Sequence, residues 1–288
     1  MNLASTPETI ELELKFGLRE CGVDRVSLAL KDLLQRDIHA QPDTLKNTYY
    51  DYQGVLHEHG VAIRTRSVGN CHEMTVKVRR AAESGLSRRE ERNIRIPEPV
   101  LDHGALDELS LPNPVRTVIK NRLLDPVFEN VFERTDWRVT QPDCDLMLSL
   151  DRGSVRVDNR ESPVSELELE LISGDLNRMI EFGCQLVDSL PSFMAVISKA
   201  ERGDRLIRSA HPMQDLKPSQ RGDWLNWLSR ALDPLSGPAP GEAYLALEEL
   251  GEPEALVMFG ESVARGELPL GLARWMVELS LESMRGTD

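Results

Sequence analysis

No two cysteines in this 288-residue chain stand at a redox or metal-binding spacing. Cys21, Cys71, Cys144 and Cys184 are scattered, with no CxxC among them. That removes the zinc-ribbon patterns and reads as free thiols in a reducing compartment. No run approaches the roughly 18 apolar residues of a membrane span. The opening stretch MNLASTPETI has neither the basic nor the apolar region of a secretion signal, so a cytoplasmic protein is expected. The GxxxxGK[ST] loop, GxGxxG after a strand, the GxSxG elbow and HExxH are all missing. The HEH at 57–59 lacks zinc spacing and reads as a loop feature, and His39, His72, His103 and His211 stand alone. Basic charge is also short: 34 Lys and Arg face 48 Asp and Glu, for a net charge of −14. This argues against nucleic acid or an anionic membrane as partner, while a small anion in a local pocket stays allowed.

What is present suits a globular protein, with 40% hydrophobic residues. Alternation predicts strands over 8–16, 45–52, 61–67, 72–79, 91–96, 127–139, 144–150, 153–158 and 165–172. Spacings of three and four predict helices over 22–37, capped by Asp24, and over 175–189, capped by Asp175, with short helices at 105–110 and 114–122. Mostly strands with few helices points to a mainly antiparallel sheet or barrel. After residue 210 the style changes. HPMQDLKPSQ reads as a linker, GPAPG at 237–241 as a break, and helices are predicted over 219–234, 242–250, 253–265 and 269–284. The expected division is 1–209 and 210–288. The last 79 residues carry 13 acids and 6 bases, an acidic helical module whose Trp224, Trp227 and Trp275 read as core.

Two strands stand out. SELELEL at 165–171 alternates Glu166, Glu168 and Glu170 with leucines, and IELELKF at 10–16 puts Glu11, Glu13 and Lys15 on one face. Neighbouring charges on such a face lie about 7 Å apart. A solvated face over leucines is the plain alternative, but a row of like charges asks for a cation, and magnesium or manganese takes carboxylate oxygens. Cations alternate too: Arg64 with Arg66, and Lys77 with Arg79, while Arg89, Arg134, Arg152 and Lys199 add partners. If the charged faces turn inward, the interior holds metal and a polyanion, which fits phosphoryl transfer.

ELELK at 11–15 resembles the ExExK signature of the CYTH superfamily, also called triphosphate tunnel metalloenzymes. NTYYD, GVAIRTR, HEMTVKVR, SRREE, FERTDW, LDRG, SELELELISGD and SKAERG follow in the family's order over about residues 8–208. The pattern looks most like bacterial inorganic triphosphatases of the CYTH–CHAD type. The resemblance implies an α+β fold: a closed antiparallel tunnel of about eight strands with flanking helices, beside the small C-terminal helical module. It implies that Glu11, Glu13, Glu168 and Glu170 bind two Mg2+ or Mn2+ ions, with Glu166, Asp151 and Glu91 as further ligands. Lys15, Arg64, Arg66, Lys77, Arg134 and Lys199 would hold the triphosphate, with Arg79, Arg89 and Arg152 behind them. One ion would orient the triphosphate and a second would activate water, yielding pyrophosphate and phosphate. Nucleoside or thiamine triphosphate hydrolysis, adenylate cyclisation of the class IV type, and non-catalytic polyphosphate binding stay open. The chain departs from the pattern at Tyr52-Gln53, where Thr-Pro is usual, at Asp204, where Tyr is usual, and in lacking the basic CHAD helices. Capping the tunnel, forming a homodimer or docking a partner are the roles open to the tail.

Overall fold

Alternating side chains dictate the architecture, because each strand has one apolar face to bury and one charged face to hide elsewhere. The computed structural model describes residues 9–19, 21–38, 40–79, 86–109, 111–120, 122–208, 221–233 and 239–285. Strands β1 (Thr9–Leu18), β2 (Gln41–Asp51), β3 (Val61–Val68), β4 (Cys71–Arg79), β5 (Leu86–Arg95), β6 (Asp125–Gln141), β7 (Cys144–Val157), β8 (Arg160–Gly174) and β9 (Ser192–Met194) form one antiparallel sheet. The order β5-β4-β3-β2-β6-β7-β8-β1 closes through β5–β1 pairing into an eight-stranded barrel. Strand β1 has two partners along one edge: Thr9–Leu14 pair with β5, and Phe16–Leu18 pair with β9.

The outward faces are covered by helices. Helices α2 (Val55–Glu58), α3 (His103–Glu108) and α4 (Asn113–Ile119) bury Ile63, Met74, Val76, Val78 and Ile94 on one side. On the other side, α1 (Val23–Leu34) and α5 (Leu176–Val187) cover Leu14, Phe16, Leu148, Leu167 and Leu169. The C-terminal helices α7 (Arg221–Leu232), α8 (Pro240–Glu249), α9 (Pro253–Ala264) and α10 (Leu272–Arg285) join that same core, with Trp224 and Trp227 buried in it and Trp275 packed against it. Helix α6 (Lys199–Arg208) instead packs against inward-facing residues. Its Ala200 and Leu206 meet Tyr49, Phe128, Val155 and Val164, and so close one end of the barrel.

Several element boundaries differ from expectation. The strands expected at 144–150 and 153–158 are one continuous β7. Gly153 is no turn there: a Cβ on it would stand 2.2 Å from the Val131 carbonyl oxygen and 2.5 Å from Phe132 Cα. Gly153→Ala therefore forces β6 and β7 apart, and a loss of about 3 kcal/mol in urea-unfolding stability is expected. Asp24 is not the cap of α1; Gly22 occupies that position, and Asp24 sits in the first turn, where a carboxylate still favours the helix dipole. Asp175 does cap α5, accepting from Asn177 N at 2.7 Å. The expected linker at 211–220, with His211, Gly237 and Pro238 of the expected GPAPG break, and all of 80–85 lie outside the described residues.

Candidate active site

Strand register brings the charged faces together inside the barrel. Glu13 stands opposite Glu170, Lys15 opposite Glu168, Glu11 opposite Arg89, Lys77 opposite Glu91, and Arg134 opposite Asp151. A cavity of about 500 Å³ runs among them, lined by Glu11, Glu13, Lys15, Arg64, Arg66, Lys77, Arg79, Arg89, Glu91, Arg134, Glu168, Glu170 and Lys199. Thirteen of the sixteen expected site residues thus share one chamber. Glu166 and Asp151 lie just behind its wall, 2% and 0% exposed. Arg152 does not belong. Side chains alternate along β7, so with Asp151 turned inward Arg152 is exposed on the outside, near Cys21 and Glu133.

The chamber has three electrostatic regions. At one end the carboxylates are saturated by ammonium and guanidinium groups. Lys199 Nζ lies 2.6 Å from Asp151 Oδ2 and 3.0 Å from Glu168 Oε1, and also bonds Glu166. Lys15 Nζ is 3.0 Å from Glu168 and 3.4 Å from Glu166. Arg134 forks onto Asp151 at 2.7 and 2.6 Å and reaches Glu168 at 2.6 Å. Burial pushes the Glu168 carboxyl up, but Lys15, Lys199 and Arg134 outweigh it and hold it well below its usual range. Asp151, Glu166 and Glu168 are the one acidic trio among the described residues whose ligand atoms all lie within 4.8 Å of one another. Two lysines already fill the role of cation there.

A second region is short of cations. The Oε1 of Glu13 is buried without a hydrogen bond, with Lys15 and Arg89 at 3.6 Å. Burial, reinforced by Glu11 and Glu13, pushes the Glu170 carboxyl up to about 7, and Glu11 is raised as well, mainly by burial. Glu11 keeps Lys77 at 3.0 Å, a lysine it shares with Glu91. Hard oxygen donors crowded together with a buried carboxylate oxygen that no hydrogen bond satisfies fit a divalent ion such as magnesium or manganese.

The third region is short of anions. Arg64 has Glu91 only at 3.7 Å, and its Nε is buried without a partner. Arg66 bonds Asn47 at 2.8 Å and has Glu73 at 3.7 Å. Burial, then Arg64 and Arg134, push the Arg66 guanidinium down to about 10. A buried guanidinium crowded by Arg64 and Arg134, with Glu73 only at 3.7 Å, is a site for a polyanion.

These shifts fix the sign of a pH dependence. Glu170 keeps its proton up to about 7 in the folded chain, against an ordinary 4.5. Between those values the folded chain binds more protons than the unfolded one, so stability falls as pH rises across that window. Urea midpoints of the metal-free protein are expected to be lower at pH 7.5 than at pH 5.5, and millimolar magnesium is expected to narrow the gap. A metal-free midpoint that climbs over the same interval would contradict the cation-poor region.

Eight polar lining residues escaped sequence reasoning: Tyr49, His57, Arg88, Asn93, Ser198, Glu201, Asn226 and Arg230. Asn93 was within reach, since it shares a strand face with Arg89 and Glu91. His57 was not, because α2 carries it to the cavity. Asp51 caps that short helix, accepting from Leu56 N at 2.9 Å and His57 N at 3.2 Å. Asp204 is neutralised, not opposed to the cavity anion: its carboxylate takes Arg208 at 3.0 Å and His57 Nε2 at 3.2 Å.

A closed antiparallel barrel whose lumen sets carboxylates against lysines and arginines defines a charged-tunnel protein. Residues 9–201 match the CYTH domain model, and the chain belongs to that family. It is 29% identical over 199 residues to an inorganic triphosphatase of Haemophilus influenzae, covering 67% of this chain and 54% of that one. The chain thus spans about half the length of the curated relative it matches. Two solved structures are also similar. One is a Hippeastrum protein described as having a dominant triphosphatase activity, with 21% identity, 69% and 95% coverage and a TM-score of 0.47. The other is an RNA triphosphatase of S. pombe, with 12% identity, 61% and 74% coverage and a TM-score of 0.29.

Proposed function

We propose that the protein hydrolyses inorganic triphosphate to pyrophosphate and phosphate inside the barrel, with magnesium or manganese as cofactor. The observation that carries this reading is the pairing of a cation-poor carboxylate wall with an anion-poor arginine wall across one cavity. Each wall alone is electrostatically costly, and a metal–polyanion complex relieves both at once.

In this reading Glu11, Glu13 and Glu170 hold the metal, which when bound polarises phosphoryl oxygens and acidifies water. Arg64, Arg66 and Lys77 receive the non-bridging oxygens. Arg134 and Lys199 are fixed by Asp151, Glu166 and Glu168, so they face the substrate without reorganising. Water attacks a terminal phosphorus, the bond from that phosphorus to its bridging oxygen breaks, and pyrophosphate leaves with its charge neutralised by arginine and lysine. Four free cysteines, three of them buried, fit a reducing cytoplasm. No helix among the described residues is long and apolar enough to cross a membrane.

The test is a panel of inorganic, nucleoside and thiamine triphosphates with magnesium or manganese, scoring phosphate, pyrophosphate and cyclic AMP. Inorganic triphosphate is expected to be turned over fastest. Cyclic AMP as the main product, or tight triphosphate binding without turnover under any metal, would overturn the reading.

A further inference from the structure

Helix α7 lies beyond the region that matches the family, yet it borders the cavity. Asn226 and Arg230 stand among the lining residues. Asn226, Ser229 and Arg230 lie on one side of the helix at spacings of three and four, and Asp233, one residue past its end, continues that polar stripe. The opposite side, with Trp224, Leu228 and Leu232, is buried in the core.

The stripe meets one short segment of chain. Val196 N donates to Ser229 Oγ at 3.2 Å. Arg230 Nη1 donates to Glu201 at 2.8 Å, and Glu201 also accepts from Arg205 at 2.9 Å. Arg202 forks onto Asp233 with both bonds at 2.7 Å, a pair in which each side chain is under 5% exposed. On its other side this segment is tied to β1, since Ala195 N donates to Lys15 O at 2.9 Å. Residues 195–202 are therefore clamped between β1 and α7, and they carry Lys199, whose ammonium sits on Asp151, Glu166 and Glu168. Ser229 and Asp233, both almost fully buried, spend their polar groups on this segment and not on water.

We propose that α7 is a working wall of the tunnel: Arg230, beside Asn226, meets the outer end of the bound triphosphate, and Ser229 and Asp233 position Lys199. This rests on the triphosphate reading. Arg79, Arg88 and His57 line the same cavity from β4, β5 and α2, and Glu201 lines it from α6. Arg79, Arg88 and Arg230 thus put three guanidinium groups on this lining, where a phosphate oxygen can accept from them.

The experiment compares full-length wild type with single variants, by steady-state kinetics and by calorimetric titration of inorganic triphosphate. Arg230→Gln is expected to raise KM and Kd about tenfold with kcat within about twofold, and Arg230→Lys to recover part of that loss. Asp233→Asn is expected to lower kcat about fivefold through a misplaced Lys199. An Arg230→Gln protein with KM and Kd unchanged overturns the wall. An Asp233→Asn protein that melts earlier but keeps wild-type kcat and Kd reduces α7 to a scaffold, which also overturns the positioning role. Wild type that neither binds nor turns over triphosphate would instead sink the functional reading itself, and this inference with it.

Discussion

Glu13→Gln is expected to reduce metal-stimulated triphosphate hydrolysis by about a hundredfold to a thousandfold, while calorimetry still detects triphosphate binding. Glutamine keeps the shape of the side chain and removes its charge. Glu13 is chosen because its Oε1 is buried without a hydrogen bond and faces Glu170 across the β1–β8 ladder. Neutralising one member of that pair also relieves its neighbour, so the Glu170 carboxyl, pushed up to about 7 by burial, Glu11 and Glu13, moves back down. The two effects are separable: turnover falls, while the pH-dependent loss of stability in the metal-free protein shrinks. Activity within fivefold of wild type would mean that metal is not held at this wall.

Lys199→Met carries the largest expected cost in stability, about 3 to 5 kcal/mol at pH 7 by urea unfolding. The ammonium is 7% exposed as a residue and serves Asp151, Glu166 and Glu168 together. Methionine fills much of the same volume, so the loss isolates charge from packing. Arg134 and Lys15 remain, but neither reaches all three carboxylates. Lowering the pH is expected to recover part of the deficit, because Asp151, no longer held down by Lys199, can then enter the folded state protonated. A deficit below about 1 kcal/mol would show that the network does not depend on this lysine.

Which of these residues could be read from sequence follows from the rules of strands and helices. Glu11, Glu13, Glu166, Glu168 and Glu170 were legible because side chains two apart must share a face, and like charges on one face need an explanation. Their sorting was not legible. Whether a glutamate meets lysine or another glutamate depends on register, and Glu13↔Glu170 beside Lys15↔Glu168 appears only once β1 and β8 are paired. Arg152 was taken for a site residue on its chemistry, although adjacent positions on a strand point to opposite sides and Asp151 had the stronger claim to the interior. A gap between strands was expected at 151–152, whereas β7 runs straight through, and the missing side chain of Gly153 is what lets β6 and β7 lie close together. The helices after residue 220 were visible from their apolar spacing. Their polar stripe was there to see as well, but nothing in a linear chain tells which polar face is turned to water and which to a tunnel.

The double pairing of β1 has a temporal meaning. One edge of this first strand is completed by β5 near its start and by β9 near its end, and its other edge waits for β8. Gly17 lies where a Cβ would strike the Phe193 ring, so that last joint closes only with the β9 aromatic seated flat against a bare backbone. During synthesis β1 must therefore stand unfinished until β8 and β9 have emerged. Lys77 and Glu91, or Arg134 and Asp151, can meet early on their own hairpins, whereas Glu13 and Lys15 stay hydrated and apart from Glu170 and Glu168 until the ring is sealed.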